Sequence, residues 1–449
     1  MIRMQAFSGL FLAWVLAGAV ALAAETPPST AAGAPAAAPA AQAGRWFRGA
    51  LHFHSFWSDG DDFPEIVVDW HKRHGYDFVA PTEHNVMARG EKWHDLQDKD
   101  HPIPNEVLER CRARFGPLDV RDRDGKRLVR LRTLDEVRTL LESPGRFLVI
   151  PGEEITSKSG EAAVHLNAFG LRDPVEPIKD PDVVATLRRN VEAVARQARA
   201  TGRTIPVLVN HPSWPHFDVS AEDLAATLPA RLFEICNVSE GSNRLGDAHH
   251  PSLDRIWDVA NTLRIAQYRQ APLLGVATDD AHHYQAFAPD KANPGRGWVM
   301  VRATQLAPEP LLKALASGDF YSSTGVLLDE LSFDPQSGTL TVAVRPQPGA
   351  RYTIDFIGTP VDYDRAVRTI QPPPREGKPV RPVVVYSKDV GKVLASVEGT
   401  RATYRLTGQE LYVRAAIRST QRMPNPPKGE GQFQEAWTQP VGWEKRIKP

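Results

Sequence analysis

Histidine and carboxylate side chains recur close to the ends of short apolar segments of this sequence. Burying so many ionisable groups without a cation to bind them would be costly. Imidazole and carboxylate groups are common metal ligands, and a set without thiolates suits Zn, Mn or Fe. We therefore predict a metal site. The candidate groups are His52, His54, Asp59, His84, Glu153 or Glu154, His165, His211, Asp280 and His282.

The elements that must position these residues alternate along the chain. Apolar runs predict strands at 50–54, 77–80, 147–150, 164–169, 206–210, 232–238 and 273–277. Helices are predicted over 64–75, from the capping box that Thr133 and Glu136 form, and over 182–202. Repeated strand–helix units predict a barrel-like α/β fold with a parallel sheet. In such folds the chemistry lies at the carboxyl ends of the strands.

The pattern changes after about Gly325, where the helical periodicity ends. Strands are predicted at 338–344, 352–357, 382–386, 402–406 and 410–418, separated by turns rich in Pro and Gly. This part of the chain, residues 327–449, is predicted to form a small all-β, sandwich-like domain. The two cysteines, Cys111 and Cys236, lie in contexts that give no support for a disulfide between them.

Five sequence motifs, taken in order, resemble those of a known superfamily. The first two are Leu51-His52-Phe53-His54 with Ser58-Asp59-Gly60, and Thr82-Glu83-His84-Asn85. The later ones are Ile150-Pro151-Gly152-Glu153-Glu154, Asn210-His211-Pro212 and Asp280-Ala281-His282. Together they resemble the PHP superfamily, named for polymerase and histidinol phosphatase, over about residues 48–326. The segment Gly318–Gly325 is similar to the usual end of that domain.

The resemblance implies a distorted (β/α)7 barrel over residues 45–326 that holds up to three metals. It assigns His52, His54, Glu154 and Asp280 to one metal, and His165 and His211 to a second that Glu154 bridges. Asp59, His84 and His282 would hold the third.

The sequence departs from the superfamily pattern at two places. Glu83 replaces the commoner Asp, and we expect it to orient His84. Residues 86–146 form a long insertion, interpreted as a mobile lid whose His94 and His101 face solvent.

Clustered divalent metals favour hydrolysis of a phosphate ester by metal-bridging hydroxide, with Asp280 or His282 assisting proton transfer. The expected partner is a small phosphorylated molecule. Candidate phosphate-binding residues are Arg89, Lys92, Arg244 and Arg296, although a solvated surface position is the favoured interpretation for each. Two alternatives remain: a metal-dependent hydrolase of an amide or carboxylic ester, and a non-catalytic protein that binds the cell envelope.

Composition and the first residues predict the compartment and exclude some partners. Lys plus Arg and Asp plus Glu are both 54 among 449 residues, which argues against a dedicated nucleic-acid binder. Residues 1–23 combine Arg3, an apolar run and Ala21-Leu22-Ala23, the pattern of a cleaved signal peptide. Residues 24–44, rich in Ala and Pro, are predicted to be a disordered linker. We expect a periplasmic or secreted protein without a transmembrane anchor after cleavage.

Overall fold

The computed structural model describes residues 44–239, 241–374, 380–429 and 432–448. These residues belong to a compact unit that spans Gln42–Pro449. The predicted signal peptide lies outside the described residues, as does all of the predicted linker except Gly44.

The described residues contain no helix long and apolar enough to span a membrane.

Short strands and helices alternate as far as Ser323. The elements are β1 (Arg45–Ala50), α1 (Pro64–Arg73), β2 (Phe78–Val79), β3 (Trp93–Asp95), α2 (Asn105–Phe115), β4 (Val120–Arg123), β5 (Lys126–Arg130), α3 (Leu134–Leu141), β6 (Leu148–Val149), β7 (Gly152–Ser159), β8 (Ala162–Phe169), α4 (Val183–Thr201), β9 (Val207–Val209), α5 (Ala221–Ala226), β10 (Leu232–Asn237), α6 (Leu253–Ala266), β11 (Leu274–Thr278), β12 (Trp298–Ala303), α7 (Pro308–Ser317) and β13 (Phe320–Ser323).

Strands dominate the remainder of the described chain. They are β14 (Leu328–Asp334), β15 (Thr339–Val344), β16 (Tyr352–Pro360), β17 (Val367–Ile370), β18 (Val383–Tyr386), β19 (Lys392–Glu398), β20 (Arg401–Arg405), β21 (Glu410–Arg422) and β22 (Phe433–Thr438), followed by the short helix α8 (Glu444–Ile447). The sequence indicated no helix in this part of the chain, so α8 is an addition to the predicted elements.

Two sheets carry most of the strands that the sequence placed in a barrel. One has nine strands in the order β19-β16-β21-β22-β13-β12-β1-β2-β6, and the other has five in the order β11-β10-β9-β8-β7. The expectation of one parallel sheet is wrong, because β7 pairs antiparallel with β8, and β8 with β9. The reason is local: a turn at Gly160, with φ +59°, joins β7 directly to β8 as a hairpin, without a crossover helix.

Strands from the end of the chain extend the sheet of the first half. β13 pairs antiparallel with β22, which pairs with β21. The nine-stranded sheet therefore contains strands from both the first part of the chain and the predicted β domain. A smaller sheet, β14-β15-β20, and the pair β17-β18 also come from this half. The boundary between residues 326 and 327 remains a prediction.

The predicted helices form. Thr133 and Glu136 make both bonds of the capping box at the start of α3. Along α4, Leu187, Val191 and Val194 are buried. On α1, Val67 is buried and Ile66 is half-buried.

The insertion at 86–146 is a folded part of the core. β3, β5 and β4 form a three-stranded sheet, and Val107 of α2 is buried against the same cluster as Phe56. The expectation that both histidines face solvent is wrong for His94, which is buried, packs on Phe56 and bonds through Nε2 to the His101 carbonyl at 2.7 Å. The reason is that His94 lies on β3, whose pairing with β5 carries it inward.

Both cysteines are free and buried, in agreement with the absence of a predicted disulfide.

A buried ion pair joins α6 to β21. The Arg414 guanidinium donates to the Asp258 carboxylate at 2.8 and 2.7 Å, and Tyr412 donates its hydroxyl to the same carboxylate at 2.7 Å. Asp258 and Arg414 are almost completely buried. Arg414 Nη2 also lies 3.2 Å from Asp254 Oδ1, so removing Asp258 would leave the buried guanidinium with this more exposed carboxylate as a partner.

We expect Asp258→Ala to lower the free energy of unfolding by about 3–5 kcal/mol, because Arg414 would keep its charge in the interior. Urea unfolding of the purified chain measures the change. The matched control is Glu330→Ala, which breaks the exposed Glu330–Arg401 pair and should cost about 1 kcal/mol or less. Equal losses in the two variants would contradict the interpretation.

Candidate metal centre

Two isolated bridges bring four chain segments to one place. Phe53 bridges Ala281, which sets the residues after β1 beside those after β11. His84 bridges Glu154, which sets the residues after β2 beside the start of β7. β1 ends at Ala50, earlier than its predicted end, so His52 and His54 lie in the extended segment beyond the strand rather than in it.

Four predicted ligands converge in the deepest part of the site. His52 Nε2 lies 3.3 Å from Glu154 Oε2 and 3.1 Å from Asp280 Oδ1. His54 Nε2 lies 3.3 and 3.2 Å from the same two oxygens. Among these atoms, His54 Nε2 and Asp280 Oδ1 are buried without a hydrogen-bond partner. A shared cation would satisfy both atoms at once, so the donor set fits a divalent metal.

A second group surrounds Asp59. Its carboxylate oxygens lie 3.3 Å from His84 Nε2 and 3.4 Å from His282 Nε2. The His54 ring stacks on both of these imidazoles, with centroids 4.6 and 4.2 Å away. Asp59 Oδ1 is also buried without a hydrogen-bond partner. His54, Asp59, His84 and His282 thus offer ligand atoms within 4.8 Å of one another.

A third group uses the other oxygen of Glu154. Oε1 lies 3.0 Å from His165 Nδ1 and 3.5 Å from His211 Nε2, while Oε2 lies 3.1 Å from His84 Nδ1. Glu154 therefore presents one oxygen to each of two adjoining groups, the arrangement expected of a bridging carboxylate. The structure brings all nine predicted ligand residues together; how the ions divide among them stays a prediction.

Charge within the site is balanced between acids and imidazoles. Burial would raise the pKa of Asp280, but His52 and the neighbouring imidazoles outweigh it and hold that pKa well below its usual range. Burial and the imidazoles of His282 and His84 lower the pKa of His54 to about 4, so its ring is neutral at pH 7. Burial opposes a charge on His282, yet Asp59 and Asp280 raise its pKa to about 9. A bound cation would displace that proton.

Glu234, at the buried centre of β10, was missed from the sequence. Its Oε1 lies 2.7 Å from His52 Nδ1 and accepts from the Thr278 hydroxyl at 2.7 Å. Its Oε2 accepts from the His211 backbone N–H at 2.6 Å and from Asn237 Nδ2 at 2.8 Å. Burial opposes a charge on this ring, but Asp280, Glu234 and Glu154 raise the pKa of His52. A bound cation would displace the Nε2 proton, and Glu234 would then hold the remaining proton on Nδ1 and leave the Nε2 lone pair facing the centre of the site. One acidic residue inside an apolar strand was the signal that could have found it.

Glu83 does not act on His84 as expected. Its carboxylate accepts from the Ser55 hydroxyl at 2.5 Å, the Ser55 backbone N–H at 3.1 Å and the Ser58 hydroxyl at 2.5 Å. The Ser58 oxygen lies 3.2 Å from His54 Nδ1. Glu83 therefore fixes the turn that carries Asp59. The His84 ring instead contacts Thr156, with Nδ1 2.5 Å from Oγ1.

Two of the candidate phosphate-binding residues, which were expected at solvated surface positions, are buried. Arg244 is buried and paired with Glu435, and Arg296 is buried and donates to the Asn425 and Ala288 carbonyls at 2.8 and 2.9 Å. For these two the surface interpretation is wrong, because the loops that carry them are covered by the end of the chain.

The other two candidates also use their charged groups for backbone contacts. Lys92 Nζ donates to the Trp57 carbonyl at 2.5 Å, and Arg89 donates to the Arg172 carbonyl.

Of the two candidate catalytic residues, Asp280 is buried and His282 lies on the side of the site that is open to solvent. The His282 side chain is 20% exposed, against 0% for His52 and His54. Its Nδ1 lies 2.8 Å from the Asp280 carbonyl oxygen. A role of His282 or Asp280 in proton transfer remains a prediction.

We expect Glu234→Gln to weaken divalent-metal binding by about 10- to 100-fold, because His52 would lose the carboxylate that fixes its tautomer. Competition against a chelator, with Zn or Mn, measures the affinity. Glu153→Gln is the matched control: this buried carboxylate, on the same strand as Glu154, bonds to the Val175 N–H at 2.8 Å. Equal affinity in wild type and Glu234→Gln would contradict the assigned role of Glu234.

No protein-family profile and no curated protein matches the sequence. The chain is similar to a solved two-domain protein from Bacteroides vulgatus described as containing a predicted PHP-like metal-dependent phosphoesterase, at 16% identity and a TM-score of 0.37, over 89% of this chain and 97% of that one. A putative metal-dependent phosphoesterase from Bifidobacterium adolescentis is similar at 15% identity and a TM-score of 0.28, over 52% of this chain and 87% of that one.

An amidohydrolase from Chromobacterium violaceum, solved with bound sulfate and no metal, is similar at 15% identity and a TM-score of 0.27, over 53% of this chain and 88% of that one. At such identities and scores the likeness by itself establishes neither the fold nor the activity of this chain. The structural neighbours nevertheless include PHP-like metal-dependent phosphoesterases, the superfamily that the sequence motifs resemble.

Proposed function

We propose that this protein is an exported metal-dependent phosphoesterase that hydrolyses a small phosphorylated molecule. The observation that carries the proposal is the sharing of ligands. Glu154 faces two adjoining groups with its two oxygens, and His54 faces Asp280 on one side and Asp59 on the other. Adjoining cation sites with common ligands suit a reaction in which attacking and leaving oxygens both need stabilisation.

Divalent cations bound here would activate a water molecule and neutralise the charge that develops on a phosphoryl group. The residues of the chain supply the rest. Glu234 holds His52, and Asn210 Nδ2 donates to Glu154 Oε1 at 2.8 Å, so the deepest ligands are fixed before any substrate arrives.

The open edge of the site indicates where a substrate enters. The side chains of Asp59, His84 and His282 are 38%, 26% and 20% exposed, whereas Glu154 is 1% exposed. A phosphate ester would therefore approach over these three residues. His282, whose ring is reachable from solvent, is the side chain best placed to give a proton to the departing oxygen or take one from water.

Export of the protein is part of the same proposal. It is supported by the sequence of residues 1–23, with its single early charge, apolar run and small residues at the end. The balance of 54 basic and 54 acidic residues supports a small-molecule partner rather than a nucleic acid.

The mature protein, loaded with Mn or Zn, is expected to hydrolyse an aryl phosphate monoester or diester. Asp280→Ala should reduce turnover by more than about a thousandfold, because it removes a carboxylate ligand from the deepest group of the site. A chelator should abolish turnover, and added metal should restore it.

The matched control for that experiment is Asp364→Ala, which removes an exposed carboxylate in the second half of the chain and should keep full activity. Matched aryl amide and carboxylic ester substrates are assayed in parallel. Turnover of an amide or carboxylic ester alone, or of no substrate despite bound metal, would overturn the phosphoesterase assignment.

Expression of the full chain in a bacterium should yield a mature protein that begins at Ala24. Intact-mass measurement of the periplasmic fraction checks this. Ala23→Arg, which destroys the small residue before the cleavage point, should leave Met1–Ala23 attached. A wild-type protein that retains Met1 would argue against cleavage.

A further inference from the structure

A cleft of about 540 Å³ opens beside the metal centre. We propose that it binds a second anionic group of the substrate, so that the preferred phosphate ester carries a further phosphate or carboxylate away from the bond that is cleaved. This inference rests on the proposed function and deepens it. The cleft is lined by residues 237–239, 241–244, 289–291, 296 and 427–429.

The cleft reaches the metal centre through Asn237. This side chain lines the cleft, and its Nδ2 donates to Asp280 Oδ2 at 3.1 Å and to Glu234 Oε2 at 2.8 Å. A second connection runs through the loop after β11, where the His282 N–H donates to the Ala292 carbonyl at 2.9 Å, next to Lys291. One side chain therefore separates the cleft from a predicted metal ligand.

The charge of the lining favours an anion. Among the described residues that line the cleft, four are cationic and one, Asp290, is acidic; the four are Arg244, Lys291, Arg296 and Lys428. The two arginines already bond within the protein: Arg244 pairs with Glu435, and Arg296 donates to backbone carbonyls. In the described residues, no carboxylate lies within ion-pair distance of the Lys291 or Lys428 ammonium group. These two lysines are therefore the groups available to a ligand.

Backbone contacts tie together the two segments of the cleft lining that carry these lysines. The Lys428 N–H donates to the Pro289 carbonyl at 2.7 Å, which ties the end of the chain to the loop that carries Lys291. Arg296 also links the two segments, because its Nε donates to the Asn425 carbonyl at 2.8 Å and its Nη1 donates to the Lys291 carbonyl at 2.5 Å. The positions of Lys291 and Lys428 are thus coupled although the sequence separates them widely.

The cation pair explains how a substrate could be selected by its length. A ligand with anionic groups at both ends could place one at the metal centre and the other between the lysines. A monoanionic ester of the same size would leave the lysines without a partner and gain nothing from the cleft.

The test compares α,ω-alkanediol bisphosphates of three to eight carbons with n-alkyl monophosphates of matched length. Calorimetric binding and kcat/KM are measured on the Mn-loaded mature protein. At its best length the bisphosphate should bind about tenfold more tightly than the monophosphate, and raised salt should reduce this preference. The double variant Lys291→Ala/Lys428→Ala should abolish the preference, leaving monophosphate binding unchanged.

The matched control is Lys388→Ala, an exposed lysine outside the cleft, which should keep the preference. A bisphosphate that binds no better than the monophosphate at any length, or a preference that survives in the double variant, would overturn the proposed anion site. If the lysine-dependent preference is present but no ester is hydrolysed, the anion site stands and the phosphoesterase assignment fails. If both series are hydrolysed without a preference for the bisphosphate, the phosphoesterase assignment stands and the anion site fails.

Discussion

The structure depends on keeping one carboxylate, Glu154, ionised in the interior. Five imidazoles lie within 3.5 Å of its two oxygens, those of His52, His54, His84, His165 and His211. Burial alone would raise the pKa of Glu154, but these imidazoles hold it well below its usual range. A carboxylate in this position would be costly without them, so the segments that carry the five rings must all reach one point.

The hairpin of β7 and β8 brings Glu154 and one of its imidazoles together with few intervening residues. Thr156 pairs with His165 and Glu154 with Asn167 across the two strands, so the carboxylate and one of its imidazoles come from adjacent strands joined by a tight turn. Asn167 Oδ1 accepts from Asn210 Nδ2 at 2.9 Å, which fixes the residue before His211. The polar network therefore joins the paired strands β7 and β8 to the segment that follows β9, and it holds the candidate ligands of these segments in place.

The sequence indicated the candidate ligands better than the framework around them. His52 and His54, spaced two apart, and His211, followed by Pro212, are conspicuous, and the resemblance of the ordered motifs supplied the full set of nine. The antiparallel β7–β8 pairing was hidden, because buried strands of either direction have the same apolar composition. Glu234 was missed because a lone acid within an apolar strand has no spacing pattern. Lys428 could not be associated with the site, because only the long-range pairing of backbone groups near Pro289 brings it there.

The nine-stranded sheet has a consequence for any shortened form of this chain. Tyr321, Ser322 and Ser323 of β13 pair with Thr438, Trp437 and Ala436 of β22. A chain that stopped near residue 326 would leave these backbone groups as an open edge next to β12, and open edges recruit strands from other molecules. A fragment cut at the end of the superfamily motifs would thus be prone to self-association, which the terminal strands prevent in the full chain by covering this edge.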